Sequence, residues 1–483
     1  MIRIISIFLI SLPIVPVVGA ERPNILLIVS EDNGPELGCY GNPTVQTPVL
    51  DRLAADGVRF QNAYVPQAGC SQSRAALLTG LYPHQNGQIG LATWKFALYQ
   101  ADTPNLVRSL KAAGYRTGII GKLHINPASA FPFDKAVIPS ANFGRKRLGD
   151  YARHAGEFFS ASDEPFFLSV NYPDAHRPFT AQVADLPEQP LTADQVKPLA
   201  YFGLDTPELR AQTADYYNCM SRLDTLVGDL LSTLDHSGKA SNTLVVYLGD
   251  HGADMLRGKR TSYEGGVRIP LIVRWPGQAK SHQVRQELIT TLDLMPTLLV
   301  VAGAHPVANL PGRSLLPLLR AKKTSWRRTL FTEYHAHSAH NFYPQRTVRN
   351  EQYKLIHNLI PGQNNPGYDF TLKRFFPGLP AVIANAAPPI RSAYQRMKAP
   401  PAYELYDLKS DPYEFRNLAT DPRHAAVLAE LIKALATWRS QTNDPLLNVD
   451  TLKRLQAELN ACFVNGEPRK DRLTLTYTDY FFE

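Results

Sequence analysis

The 483-residue sequence predicts an α/β fold. A large unit with a mostly parallel central sheet flanked by helices is followed by a smaller C-terminal α+β unit with a short antiparallel sheet. Three observations predict this. Short apolar runs, continuous rather than alternating, recur through residues 24–301 and are separated by helix patterns, the rhythm of βαβ units. Ionisable residues stand directly after several of these runs, where an open α/β sheet presents its strand ends to a ligand. From about Ala321 the texture changes to basic and proline-rich segments with short strand patterns.

The first run, 24–30, is apolar throughout and reads as a strand buried on both faces; Glu31-Asp32-Asn33-Gly34 follows it at once. Thr47-Pro48 opens a helix, with Thr as N-cap and Pro at N1, and Leu50, Leu53 and Ala54 form its inner stripe. Residues 58–65 form a second strand that leads to Cys70. Thr103-Pro104 caps a helix with Leu106, Val107 and Leu110 inside, stopped at Gly114. Residues 115–120 are a strand followed by Gly121-Lys122-Leu123-His124, and 166–170 a strand followed by Asp174-Ala175-His176. Thr206-Pro207 starts a long helix reaching Leu234. Residues 243–248 are a strand followed by Gly249-Asp250-His251-Gly252, 269–273 a further strand, and 292–301 a helix.

In the second unit, 347–349 and 353–357 flank a turn at Asn350-Glu351. The stretch 361–400, rich in Pro, Gly and Asn, reads as a long loop or insertion. Residues 404–408 are a strand ahead of a turn at Asp411-Pro412, and 426–438 an amphipathic helix. The expected organisation is therefore a leader at 1–20, a catalytic unit at 21–320 and a smaller unit at 321–483.

The leader has Arg3 as its basic start, an apolar core at 4–12 and a small-residue cleavage site at Val18-Gly19-Ala20. Pro13 and Pro16 interrupt the apolar run, so a membrane-spanning helix is the poorer reading. No Cys lies near the cleavage site, so no lipid anchor or other stable membrane anchor is expected. The mature chain is expected to begin at Glu21 and to be exported, to a periplasm or fully secreted. The net charge of +8 suits an acidic partner, but Lys and Arg are scattered and no nucleic-acid motif occurs, which argues against a nucleic-acid binder.

The chain is organised around Cys70-Ser71-Gln72-Ser73-Arg74, which runs into an apolar helix stopped at Gly80. Cys70 stands at the helix start, where free N–H groups and the dipole favour an anion. Arg74, one turn on, offers a fork for a tetrahedral oxyanion. A polarised Cys beside an anion-binding Arg is a nucleophile placed against a sulfate or phosphate. Glu31, Asp32 and Asp250 supply carboxylates from two strand ends. Each alone reads equally as a helix cap or a solvated surface group. Clustered, they repel one another unless a cation such as Ca²⁺ or Mg²⁺ sits between them.

These residues resemble the formylglycine-dependent sulfatases of the alkaline phosphatase superfamily. The Cys70 stretch is similar to the sulfatase signature of Cys, Pro or Ala, Ser-Arg, then Leu-Thr-Gly; it departs at Gln72, where Pro or Ala is usual. Arg22-Pro23-Asn24 leading to an acidic pair resembles the family's N-terminus, with Glu31 in place of the first Asp of a Ca²⁺-binding pair. Asp250-His251-Gly252 matches the second metal motif. Lys122 and His124 match a Gly-Lys-Trp-His element with Leu123 for Trp, His176 a Pro-x-x-His-Arg-Pro segment, and Lys259 the last sulfate-binding Lys. Residues 404–408 with Asp411-Pro412 resemble a common sulfatase ending. The nearest branch is the sulfamidase, or heparan N-sulfatase, group, on Pro83-His84-Gln85-Asn86-Gly87 and on 117–122.

The resemblance implies that a maturation enzyme converts Cys70 to formylglycine, whose hydrate attacks sulfur. It implies a divalent cation, Ca²⁺ or another, held by Glu31, Asp32, Asp250, His251 and the modified Cys70. Arg74, Lys122 and Lys259 would bind sulfate, and His124 or His176 would protonate the leaving atom. An imidazole at 251 suits a softer metal than Ca²⁺. With Cys70 modified, Cys39, Cys219 and Cys462 remain and allow one disulfide. His84, Trp94, Lys95, His335, His337, His340 and Arg346 are expected on the rim to recognise the substrate. The implied activity is hydrolysis of sulfate esters or sulfamates on a carbohydrate. The alternatives are a phosphate or phosphonate ester hydrolase of the same superfamily, and an inactive sulfated-glycan binder in which Gln72 leaves Cys70 unconverted.

Overall fold

The computed structural model describes residues 22–482, so the leader read at 1–20 lies outside the described residues. Eight strands form the main sheet: β1 Asn24–Ser30, β2 Val58–Tyr64, β3 Arg116–Gly121, β4 Lys135–Val137, β5 Phe166–Tyr172, β6 Thr243–Gly249, β7 Arg268–Arg274 and β8 Gln283–Thr290. Their order is β4-β3-β5-β1-β6-β7-β2-β8. Only β7 runs against its neighbours; every other pairing is parallel.

The apolar runs have a direct cause. Every residue of β1, β5 and β6 is buried. In β1, Leu26 and Ile28 enter one core, while Ile25, Leu27 and Val29 enter the core on the other face. Each such buried side chain contributes about 1.5–3 kcal/mol relative to an exposed one. A single charge within β1 would be buried in one core or the other, because no position on the strand faces water.

Helix α1, Pro48–Ala55, starts where expected, but Thr47 does not cap it with its side chain. Thr47 Oγ1 instead accepts from Gly38 N at 2.9 Å. The carboxylate of Asp224, reaching from the Pro207–His236 helix, accepts from Val49 N at 3.0 Å and Leu50 N at 2.8 Å. The Leu106–Ala112 helix is capped by Asn105 rather than Thr103; Thr103 Oγ1 is taken by the Gln100 carbonyl. Helix α2, Cys70–Thr79, begins at Cys70 after Gly69 and ends at Gly80, whose φ of +69° is the left-handed stop the sequence called for.

The second sheet has strands β9 Leu330–Tyr334, β10 Gln345–Arg349, β11 Tyr353–Asn358 and β12 Tyr403–Asp407. Its order is β12-β11-β10-β9, all antiparallel. The Ala425–Gln441 helix packs Leu431, Leu435 and Trp438 on it. Helix α2 is wedged between the two sheets: Ala75, Leu77 and Leu78 join the main-sheet core, and Ala76 joins Val348, Leu355 and Leu405.

The stretch 361–400 is not a long loop. It folds into three helices, Pro366–Phe375, Leu379–Asn385 and Pro388–Lys398. Each carries Pro at its first or second position, where the missing N–H costs nothing, so prolines that read as breakers are helix starts. All four cysteines are free, so the single disulfide allowed by the count is not formed. No helix of the described residues is long and apolar enough to cross a membrane.

Candidate active site

Five strand ends converge on one cup. β1 delivers Glu31 and Asp32, β6 delivers Asp250 and His251, β3 delivers Lys122 and His124, β5 leads to His176, and β2 leads through its loop to Cys70 on α2. The parallel topology explains this, because neighbouring strands place their carboxyl ends side by side. Asp32 N donates to Asp250 Oδ1 at 2.9 Å, closing the β1–β6 pair across the cup.

The cations and carboxylates alternate. Lys122 Nζ lies 2.7 Å from Glu31 Oε2. Lys259 Nζ lies 2.9 Å from Asp32 Oδ1 and 3.0 Å from its Oδ2. Arg74 donates to Glu31 Oε1 at 2.6 Å, to Asp250 Oδ2 at 3.2 Å and to Asn171 Oδ1 at 2.7 Å. Its guanidinium is therefore not an open fork for an oxyanion. It is buried, and it fixes the two carboxylates in place. Asn171, the partner that sequence reading missed, is a polar residue inside the otherwise apolar β5 run, and that break in pattern is its signal.

Cys70 is 2% exposed, with Sγ 3.4 Å from His251 Nε2. Burial alone would push its thiol up, but Lys122, Lys259 and His251 outweigh it and hold the thiol well below its ordinary value. His251 Nδ1 donates to the Gly252 carbonyl at 2.9 Å, so Nε2 faces Cys70 Sγ, Asp32 Oδ1 at 3.2 Å and Asp250 Oδ1 at 3.7 Å. Burial would lower this imidazole, but the Asp250 and Asp32 carboxylates hold it up to about 9. One imidazole nitrogen, two carboxylates and the side chain of residue 70 thus offer ligand atoms within 4.8 Å of one another. Only a proton or a cation reconciles that convergence. The donor set fits a divalent cation, with Cys70 Sγ standing where a formylglycine oxygen would lie.

His176 Nδ1 donates to the Arg177 carbonyl at 2.6 Å, its ring stacks on Phe143 at 3.7 Å, and Nε2 faces Asp32 Oδ2 at 4.0 Å. His124 faces the Cys70 thiol; burial, above all, keeps its imidazole below its ordinary value, against the opposing pull of Cys70. Above these groups opens a cavity of about 950 Å³ with Cys70, Lys122, His124, His176 and Lys259 at its floor. Its walls include Trp94, His337 and His340, as expected, and Arg260, Phe370 and Arg374, which sequence reading did not single out.

Four expected rim residues lie elsewhere. His84, His335 and Arg346 are fully buried. His84 Nδ1 lies 2.6 Å from Glu333 Oε2, Arg346 pairs with Asp444 at 2.7 Å and donates to His335 Nε2 at 3.0 Å, and His335 Nδ1 donates to Gln67 Oε1 at 3.1 Å. They form a charge network that fastens the second sheet to the loop before α2. Lys95 points away and donates to the Leu473 carbonyl at 2.6 Å. Gln72 is also a fastener: its Nε2 donates to the Ala336 carbonyl at 2.6 Å, beside the parallel bond from Gln67 at 3.0 Å.

A mostly parallel sheet whose strand ends gather a thiol, carboxylates and cations under one cavity is the arrangement of an α/β enzyme that takes its ligand at the strand ends. The chain matches the family model described as Sulfatase over residues 23–304, and a second described as N-sulphoglucosamine sulphohydrolase, C-terminal, over 249–371. It is 34% identical to human N-sulphoglucosamine sulphohydrolase, covering 88% of this chain and 91% of that protein. It is 29% identical to an ulvan-active sulfatase of Formosa agariphila, covering 88% and 82%. Among solved structures it resembles one in complex with its substrate D-glucosamine-2-N,6-O-disulfate, with a TM-score of 0.65 at 21% identity over 88% of this chain and 99% of that one. It also resembles a 2-O GAG sulfatase, with a TM-score of 0.68 at 23% identity over 95% and 98%. The chain belongs to the sulfatase family and is a sulfuric ester hydrolase.

Proposed function

We propose that this chain hydrolyses sulfate from a carbohydrate, with N-sulfoglucosamine-type glycans as its substrate class. The observation that carries the reading is the meeting of Cys70, at a helix N-terminus, with Lys122, Lys259 and two histidines at the floor of one cavity. The 34% identity to human N-sulphoglucosamine sulphohydrolase supports the sulfamate end of that range.

Converted to formylglycine by a maturation enzyme, residue 70 supplies one hydroxyl to attack sulfur and a second whose deprotonation releases sulfate. A divalent cation held by Asp32, Asp250, His251 and residue 70, with Glu31 beside them, would polarise a sulfate oxygen. Lys122 and Lys259 bind the remaining sulfate oxygens and stabilise the charge that grows on them. Arg74 acts on the carboxylates rather than on sulfate. His176, half-buried and oriented by the Arg177 carbonyl, delivers a proton to the leaving oxygen or nitrogen as its bond to sulfur breaks; His124 is the other candidate for this step. The expected leader at 1–20 would place the enzyme outside the cytoplasm.

The test is twofold. Mass spectrometry of the tryptic peptide containing Cys70 should show formylglycine in active enzyme, and an intact thiol there would end the nucleophile assignment. Parallel assays on N-sulfoglucosamine, an aryl sulfate and an aryl phosphate should rank the sulfur substrates first. A clear phosphate preference would reverse the reading.

A further inference from the structure

The floor of the cavity is electrically settled. Lys122 and Lys259 face Glu31 and Asp32, and Arg260 is ion-paired with Asp254. Arg177 donates to the Asp254 carbonyl at 2.7 Å and to Gln212 Oε1 at 2.6 Å. Arg374 differs. It lies in the last turn of the Pro366–Phe375 helix and lines the same cavity. It is exposed, and no ion pair or hydrogen bond ties down its guanidinium among the described residues. Its contacts are with ring faces, 5.9 Å from the centroid of Phe370 and 5.7 Å from that of Phe375.

Beside it is an aromatic ledge. The His340 ring lies 5.0 Å from Trp94 and 5.1 Å from Phe370. Burial, with Arg260 and Arg374 nearby, holds His340 down to about 4, so the ledge is uncharged at neutral pH. Aromatic faces beside an unpaired guanidinium suit a sugar ring that carries an anion: the ring's C–H face lies on the aromatics and the anion takes the fork. At about 950 Å³ the cavity is near the upper end of the range for drug-sized ligands, more than one sugar fills.

We propose that Arg374, with the Trp94–His340–Phe370 ledge, forms a second anion subsite. It binds a carboxylate or sulfate on the sugar next to the one being desulfated, so acidic disaccharides and longer chains are preferred to the monosaccharide. This rests on the carbohydrate reading above and names the part of the substrate that lies beyond the reacting group.

The experiment compares wild type, Arg374→Gln and Arg374→Lys, each with formylglycine confirmed by mass spectrometry. The substrates are N-sulfoglucosamine, the disaccharide in which it is linked to a uronic acid, the methyl ester of that disaccharide, and a disaccharide whose second sugar carries sulfate in place of the carboxylate. Wild type should favour the free acid over its ester by about tenfold in kcat/KM, the size of one charge-assisted hydrogen bond. Arg374→Gln should lose that preference through KM with kcat nearly unchanged, Arg374→Lys should keep part of it, and the monosaccharide should respond to neither. The sulfated disaccharide shows whether the subsite also takes sulfate. Equal use of acid and ester by wild type, or an equal effect of Arg374→Gln on mono- and disaccharide, overturns the subsite while leaving the sulfatase reading intact. Fully converted wild type that desulfates none of the sugars overturns both.

Discussion

Glu333→Gln probes the charge network between the second sheet and the loop that leads to Cys70. Glu333 is fully buried. Its Oε1 accepts from His84 N at 2.9 Å, its Oε2 lies 2.6 Å from His84 Nδ1, and Arg346 Nε lies 3.7 Å away. Its own N–H donates to the Pro66 carbonyl at 2.7 Å. Burial would raise this carboxyl, but His84, His335 and Arg346 together bring it down from 4.5 to about 2. A depressed carboxylate contributes stability that is present above its unfolded value and lost as pH falls through the folded one. The window is therefore from about pH 4.5 down to about pH 2, and at about 1.4 kcal/mol per pH unit the contribution is about 3 kcal/mol. Glutamine keeps an acceptor for His84 N but no charge. The variant should be about 3 kcal/mol less stable than wild type at pH 7, and the gap should shrink to about 1.4 kcal/mol at pH 3 and close toward pH 2. Urea titrations read by fluorescence measure it, since Trp438 packs edge-on against His84 at 5.4 Å. Native-state hydrogen exchange at the His84 amide gives the local value. An equal gap at pH 7 and pH 3 would refute the electrostatic argument and leave only a packing defect.

Lys259→Met should lower kcat by about 100- to 1000-fold, the size of a lost oxyanion contact, and weaken inhibition by sulfate, read from steady-state kinetics. Dialysis against a chelator should lower both Tm and activity, and a divalent cation should restore both; His251→Ala should weaken that restoration at least about tenfold in cation titrations. Gln72→Ala removes one of the two amides that hold the Ala336 carbonyl. Hydrogen exchange at residues 337–341 should rise about fivefold, one hydrogen bond's worth, while Tm barely moves because the unpaired Oε1 of Gln72 leaves with it.

The sequence showed most about the cup. Glu31, Asp32, Cys70, Lys122, His124, His176 and Asp250 each follow a strand, and a parallel sheet puts strand ends together whatever their separation along the chain. It showed little about side chains whose partners are remote. His84 reads as a surface histidine until Glu333, 249 residues on, is placed beside it, and Arg346 reads as a free cation until Asp444, 98 residues on, takes it. The helices between 361 and 400 were obscured for a local reason, since proline at N1 and proline in a loop look alike without the turn that follows. Arg374 was hidden with them.

The position of α2 imposes an order of events. All ten of its residues are buried, held on one side by the main-sheet core, to which segments as late as the Leu294–Ala302 helix contribute, and on the other by a sheet whose strands begin at Leu330. Once the late strands dock, Sγ of Cys70 is reached only through the cavity at whose floor it lies. A maturation enzyme that takes the Cys70 segment as an extended peptide would have to work on a chain still open, before its last third has been built or has settled. The long sequence separation of the closing contacts, which slows such folding, sets how long that opportunity lasts.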